Sequence, residues 1–148
     1  MYYIYLAAGI ILTAFDLIIK HIVHTAKPSF PVIDGVFHIT YAENTGAAFS
    51  MFASFPHFTT VLTIVLILLL IGYIIYSKPK KHLELISFTL MLSGGIGNLV
   101  NRLTLGYVVD FFDFRLINFA IFNTADVFIV IGACLFILCT LLSSCRKG

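Results

Sequence analysis

The amino-acid sequence predicts an all-α membrane protein, a bundle of four transmembrane helices with a small extracytoplasmic segment that contains β-structure. Hydrophobic residues make up 60% of the 148-residue chain, charged residues only 11%, and the mean hydropathy is +1.04. Soluble domains average about 45–50% apolar and about 25% charged residues, so a water-soluble fold could not bury this much apolar surface. Four apolar runs also have roughly the 20-residue length that a helix needs to cross a bilayer.

The predicted spans cover approximately residues 3–23, 58–77, 85–103 and 122–143. The second is uncharged throughout, whereas the first contains Asp16 and Lys20. The first span also lacks the basic start and the small-residue cleavage site of a secretory signal peptide, so we expect it to be retained. At this length, we expect residues 1–148 to form a single domain.

The distribution of basic residues predicts the orientation in the membrane. They cluster between the second and third spans and after the fourth, at Lys78, Lys80, Lys81, Arg146 and Lys147. Because Lys and Arg accumulate in cytoplasmic loops, both termini are predicted to be cytoplasmic. The two longer connections, at about 25–56 and 103–121, are then on the outer side.

The first outer connection contains two further patterns. Residues 36–41 alternate in side-chain type, which predicts a short strand at the membrane surface. Residues 47–58 combine Phe and Met with small polar residues, so they form either an amphipathic segment in the interface or a simple loop among the helix ends.

Several classes of function are excluded or weakened. A net charge of +2 without a basic stripe argues against nucleic-acid binding. Cys134, Cys139 and Cys145 show no metal-ligand spacing, and the five His residues form no zinc-protease motif. We therefore expect no metal and no other cofactor.

Asp16 and Lys20 are separated by four residues, so both lie on one face of the first helix. The acid precedes the base, which is the favourable order for an intrahelical pair. An ionisable residue inside a span is a candidate functional residue because its insertion costs on the order of 2.5–3.5 kcal/mol. The spacing favours a structural ion pair over a catalytic role.

Asp110 and Asp126 have no basic residue three or four positions away, and each lies near the outer end of a span. Two carboxyl groups that meet in a low-dielectric site share one proton, as the paired acids of aspartic proteases do, and can then activate water. Alternatively, Asp126 caps the fourth helix and Asp110 is a loop acid near Arg102. Spacing alone leaves both interpretations open.

Other polar residues near the outer ends allow simpler roles. Asn44, Asn98 and Asn123 could be helix caps or interhelical hydrogen-bond partners, and Arg102 could be an interfacial anchor. The glycines at 94, 95 and 97 predict close packing of the third helix on a neighbour. A proton channel that uses the acids as relays, and a structural subunit, remain alternatives to an enzyme.

Taken together, the motifs resemble those of the bacterial lipoprotein signal peptidases, or signal peptidase II. They occur in the family's order over about residues 16–126 and comprise Asp16 with Lys20, residues 44–50, residues 94–102 leading to 106–111, and residues 122–126. One position departs from the pattern: the family usually has Asp before the Arg, whereas this chain has Asn101.

The resemblance implies an intramembrane aspartyl endopeptidase with Asp110 and Asp126 as its catalytic dyad. It also implies site-shaping or substrate-binding residues at Asn44, Gly46, Asn98, Arg102 and Asn123. The implied substrate is a prolipoprotein with diacylglycerol on the Cys after the cut. We expect a monomer in the bacterial cytoplasmic membrane, in contact with membrane lipids, with its site near the outer face. Phe49, Met51 and Phe52 are candidates either to cover that site or to anchor the segment in the membrane interface.

Overall fold

The computed structural model describes residues 2–46, 56–117 and 119–145. Its elements follow the chain as α1 (Tyr2–Ala26), β1 (Ser29–Ile33), β2 (Phe37–Asn44), α2 (Pro56–Ser77), α3 (His82–Leu105), β3 (Val108–Phe114) and α4 (Thr124–Cys145). In this described part, four helices are long and apolar enough to cross a membrane. The predicted four-helix fold with a small β-containing segment is confirmed.

The third helix is the centre of the bundle, because α1, α2 and α4 all pack against it. The glycines of α3 explain how closely the neighbouring helices approach it. A Cβ added at Gly94 would collide with the main-chain carbonyl of Ala125, and one added at Gly97 would collide with the Asp16 carboxylate. The close packing predicted from these glycines is confirmed, and it brings α1 and α4 against the same part of α3.

A three-stranded antiparallel sheet in the order β1-β2-β3 lies at one end of the bundle. The strand predicted at residues 36–41 is confirmed from Phe37 onward as part of β2, whereas Val36 lies in the preceding turn. The sequence pattern did not predict β1, which contains Pro31, or β3, whose side chains do not alternate in polarity. Pro31 is tolerated because β1 is an edge strand, and the first four residues of β3 are all buried, so neither strand has the expected pattern.

Short connections hold the sheet against the helix ends. Helix α3 ends at Leu105 and is capped by Gly106, whose positive φ of 83° allows its N–H to bond to Arg102 O at 3.1 Å. Strand β3 then begins two residues later. Val109 and Phe111 from β3 pack against Val23 near the end of α1. This packing places Asp110, on the strand between them, at the end of the bundle where the sheet lies.

Candidate active site

Asp110 lies in the third strand, opposite Ala42 of β2, and is only 2% exposed. Its two carboxyl oxygens accept hydrogen bonds from two side-chain amides. Oδ1 accepts from Asn123 Nδ2 at 2.6 Å, and Oδ2 accepts from Asn44 Nδ2 at 2.9 Å. Both oxygens of this buried carboxyl group are therefore positioned by amide donors.

Asp126 lies in the first turn of α4 and forms a reciprocal capping arrangement with Asn123. The Asn123 N–H donates to Asp126 Oδ2, and the Asp126 N–H donates to Asn123 Oδ1, both at 3.1 Å. The other carboxyl oxygen, Oδ1, accepts from Asn98 Nδ2 at 2.8 Å. Asp126 therefore has the capping role considered above, and the same geometry holds its side chain against α3.

Asn123 connects the two acids directly. Its side-chain amide donates to Asp110, while its main chain and side-chain oxygen bond to Asp126. The same Nδ2 lies 3.3 Å from Asn98 Oδ1. The fold thus brings together two carboxyl groups from β3 and α4 within the reach of one side chain, as required for a dyad.

Burial and, to a lesser extent, the negative charge of Asp126 raise the pKa of Asp110 to about 6. This pKa is lowered by the hydrogen bonds from Asn123 and Asn44 and by the positive charge of Lys20, but by less than burial and Asp126 raise it. Asp110 therefore holds a proton at a higher pH than an ordinary Asp, whose pKa is about 4.

The first helix contributes a buried cation to the same network. Lys20 Nζ lies 2.8 Å from Asp16 Oδ2, with the two side chains 1% and 0% exposed. Lys20 Nζ also donates to Asn98 Oδ1 at 2.7 Å. The Thr124 hydroxyl donates to Asp16 Oδ1. The ion pair is therefore linked through Asn98 to Asp126, a connection that its i, i+4 spacing did not reveal.

Arg102 and Gly46 lie on the side of the site next to β2. Arg102 Nη2 donates to Gly46 O at 2.9 Å, and Gly46 N donates to Asn44 Oδ1 at 2.9 Å. These bonds connect the end of β2 to α3 and orient the amide that reaches Asp110. The candidate covering residues Phe49, Met51 and Phe52 lie outside the described residues.

Two further residues support the site but were not assigned such roles from the sequence. Asn101 Oδ1 accepts from Val109 N at 3.2 Å and so joins α3 to β3. Thr124, through its bond to Asp16, joins the start of α4 to α1. Thr124 lies inside the 122–126 motif, which is the signal that could have indicated it. Among the residues that the structure describes, no group of three His, Cys, Asp or Glu side chains could hold a metal ion.

The chain matches the family model for signal peptidase II over residues 8–142. A curated lipoprotein signal peptidase from Trichormus variabilis is 46% identical over 120 residues, which cover 81% of this chain and 73% of that protein. This chain belongs to the signal peptidase II family. A second family member, the lipoprotein signal peptidase of Moorella thermoacetica, is 37% identical over 131 residues, which cover 86% of each chain.

Two solved structures, each described as a bacterial membrane enzyme, share the fold. One superposes with a TM-score of 0.88 at 29% identity and covers 97% of this chain and 91% of its own. The other has a TM-score of 0.81 at 30% identity and covers 93% and 92%. The family is one of proteases, and the four membrane-capable helices agree with a multi-pass protein of the bacterial cytoplasmic membrane.

Proposed function

We propose that this chain is an aspartyl endopeptidase that removes signal peptides from prolipoproteins carrying diacylglycerol, cutting before the lipidated Cys. Family membership and the activity for which the relatives are named support the peptidase function. The single observation that supports the aspartyl mechanism is that Asn123 hydrogen-bonds to both Asp110 and Asp126. Hydrolysis by such a pair requires water but no metal or other cofactor.

In this mechanism Asp110 is the general acid and Asp126 is the general base. Asp110 is the more buried of the two, and its raised pKa favours the protonated form. Asp126 removes a proton from water as the water oxygen bonds to the scissile carbonyl carbon, and Asp110 donates its proton to the carbonyl oxygen. When the tetrahedral intermediate collapses, the C–N bond breaks, Asp126 returns its proton to the leaving nitrogen, and Asp110 recovers the proton from the oxygen.

The surrounding polar groups hold this geometry. Asn44, Asn98 and Asn123 donate to the two carboxyl groups. Arg102 fixes the carbonyl of Gly46 at the edge of the site. We assign these residues to positioning the dyad and the backbone of the substrate, because the three Asn residues bond to one or both acids and Arg102 holds the segment that contains Asn44 and Gly46. Asp16 and Lys20 are assigned to structural support.

The site lies at the end of α3 opposite the basic connection of Lys78, Lys80 and Lys81. If that connection is cytoplasmic, the dyad is at the outer boundary of the membrane and both termini are inside. A lipid-modified substrate diffuses laterally in the outer leaflet, so this depth lets its cleavage site reach the dyad. The protein acts as a single-domain monomer in this proposal.

The mechanism predicts that Asp110→Asn and Asp126→Asn each reduce cleavage of a diacylglyceryl prolipoprotein by at least about 10²-fold, because each variant loses a proton-transfer group. A gel-shift assay of precursor processing with purified enzyme measures this. Asp113→Asn is the matched control, since Asp113 lies on the same strand but bonds to Thr40 and Arg115. Near-normal cleavage by either dyad variant, with normal insertion, would rule out the dyad.

The orientation can be tested separately from the chemistry. We expect a reporter protein that is active only in the cytoplasm to be active when it is fused to either terminus. We also expect Asp34→Cys, made in a variant without other Cys residues, to react with a membrane-impermeant maleimide added from outside. Asp34 lies in the turn between β1 and β2. Labelling of that position from the cytoplasmic side alone would reverse the proposed orientation.

A further inference from the structure

A second polar site lies between the ends of α1 and α3 that are nearest the sheet. It is a groove of about 230 Å³, and its walls include His21, His24 and Asn101 together with Leu17, Val100 and Leu105. This volume is well above the space that a single water needs. Neither dyad acid is among its lining residues, but Lys20 is. The groove therefore adjoins the polar network of the proposed active site without containing the two acids.

Asn101 directs an unused donor into the groove. The residue is only 7% exposed, and its Oδ1 accepts from Val109 N at 3.2 Å. Because an amide N–H donor must face the oxygen, this bond also fixes the orientation of the Asn101 NH₂ group. In the parts of the chain that the structure describes, Asn101 Nδ2 has no hydrogen-bond partner. Because this donor has no protein partner, it can bond to an acceptor on a ligand that enters the groove.

The groove lies at the depth of lipid headgroups. His21 and His24 are in the last two turns of α1, and Asn101 is in the last two turns of α3. At 1.5 Å per residue, these side chains attach within about 8 Å of the helix ends. Helices of 25 and 24 residues exceed a hydrocarbon core of about 30 Å by a few ångströms at each end, so these side chains lie close to the boundary between the core and the headgroups.

The charges around the groove favour an anion. His21 and His24 lie on one face of α1, and Lys27 follows the helix end with its ammonium 5.2 Å from the Tyr41 ring, which itself contacts His24. The nearby acids are already engaged, since Asp16 pairs with Lys20 and Glu43 accepts from the Tyr41 hydroxyl. The lining therefore offers N–H donors beside the apolar side chains of Leu17, Val100 and Leu105.

We propose that this groove binds an outer-leaflet glycerophospholipid through its phosphodiester group. Asn101 Nδ2 and the His21 imidazole donate to the phosphate oxygens, and so does the His24 ring nitrogen that does not contact the Tyr107 hydroxyl. The acyl chains pack on the apolar lining residues. The site depends on Asn101, because an Asp at this position would keep the bond to Val109 but present a negative oxygen to the phosphate.

The test measures lipid binding to the purified full-length chain in a non-ionic detergent by native mass spectrometry. The probes are dioleoyl phosphatidylglycerol, dioleoylglycerol with the same chains but no phosphate, and inorganic phosphate. We expect phosphatidylglycerol to bind about tenfold more weakly to Asn101→Asp, which loses a hydrogen bond to a charged group. His21→Ala is expected to weaken binding about threefold, and it alters an exposed side chain that folding should tolerate.

The matched control is His57→Ala, which removes an exposed imidazole at the start of α2, away from the groove, and should leave binding unchanged. Equal retention of phosphatidylglycerol by the wild type, Asn101→Asp and His21→Ala would overturn the proposal. So would dioleoylglycerol binding as tightly as phosphatidylglycerol, which would indicate an apolar groove alone. Binding of inorganic phosphate that Asn101→Asp abolishes would show a free-anion site instead of a lipid site. None of these measurements depends on peptidase activity.

Discussion

At the scale of single residues, side-chain amides provide most of the hydrogen bonds around the two acids. Asn44, Asn98 and Asn123 each donate a hydrogen bond to a carboxyl oxygen. An amide can donate without adding charge, so these residues orient the acids while changing their protonation less than a Lys or Arg would. This arrangement holds Asp110 close to Asp126 and still leaves its pKa raised to about 6.

Asn44→Ala tests this balance through the pH dependence of the reaction. The hydrogen bond from Asn44 lowers the pKa of Asp110, so its removal should raise that pKa further. If protonated Asp110 is the general acid, activity is lost as pH rises through its pKa. The alkaline limb of kcat/KM should therefore move upward by about half to one pH unit, with a several-fold fall in kcat from weaker positioning.

The profile is measured on a diacylglyceryl precursor peptide. Glu43→Gln is the control, because Glu43 is adjacent in sequence but bonds to Tyr41, and it should leave the alkaline limb in place. An alkaline limb that stays unchanged or moves to lower pH in Asn44→Ala would contradict the assignment of Asp110 as the acid.

At the scale of elements, the packing of α4 on α3 determines whether Asp126 can reach the site. Gly94 and Gly97 let the start of α4 lie directly on α3 around Ala125. Asp126 is the next residue along the chain, so its carboxyl group reaches Asn98 only at this close helix separation. The glycines of α3 are thus part of the site's construction although they have no side chains to contribute.

Gly94→Ala should destabilise the protein by roughly 1–3 kcal/mol, because the new Cβ would overlap the Ala125 carbonyl, and Ile129 Cγ1 would lie 2.8 Å away. Thermal unfolding in detergent measures the loss, and cleavage should fall with it. Gly72→Ala in α2 is the matched control, since a Cβ there meets nothing within 4 Å. It should be neutral or slightly stabilising. Equal unfolding temperatures for the two variants would contradict this account of the α3–α4 contact.

At the scale of the whole molecule, a polar network crosses a bundle that is otherwise apolar. It runs from Asp16 and Lys20 through Asn98 to the dyad, and so connects α1, α3, α4 and β3. Burying an ion pair is costly, but removing one partner is costlier because the remaining charge is then unpaired. Lys20 of this pair bonds to Asn98 only when α1 packs correctly on α3, so the stability of the protein depends on that packing.

Lys20→Met and Asp16→Leu should each destabilise the protein by about 3–5 kcal/mol, whereas the double variant should lose much less than the sum of the two. Thermal unfolding of the three variants in the same detergent provides this comparison. Purely additive losses would show that the two side chains do not act as a buried pair. Retained stability with lost cleavage in Lys20→Met would move this residue from support to chemistry.

Features that depend on a clear local pattern could be predicted from the sequence, whereas features that depend on contacts between distant residues could not. The β2 segment has local alternation and could be predicted, but β1 and β3 could not. Strand β1 pairs with β2 in a local hairpin, but its Pro31 obscures the strand pattern. Strand β3 is stabilised by pairing with β2 and by packing on Val23, contacts that join residues distant in the chain. The same applies to Asn101, whose bond to Val109 depends on the turn at Gly106.

The sequence by itself determined the four membrane-capable helices and the residues that define the family, since hydrophobicity and motif order are local properties of the chain. It also indicated Asp110 and Asp126 as acids with no basic residue three or four positions away. Only the tertiary structure decided that one residue, Asn123, bonds to both acids, that Lys20 reaches Asn98, and that Asn101 opens onto a groove. Hydrogen bonds extend only about 3 Å, so whether distant residues form them is decided by how the helices and the sheet pack.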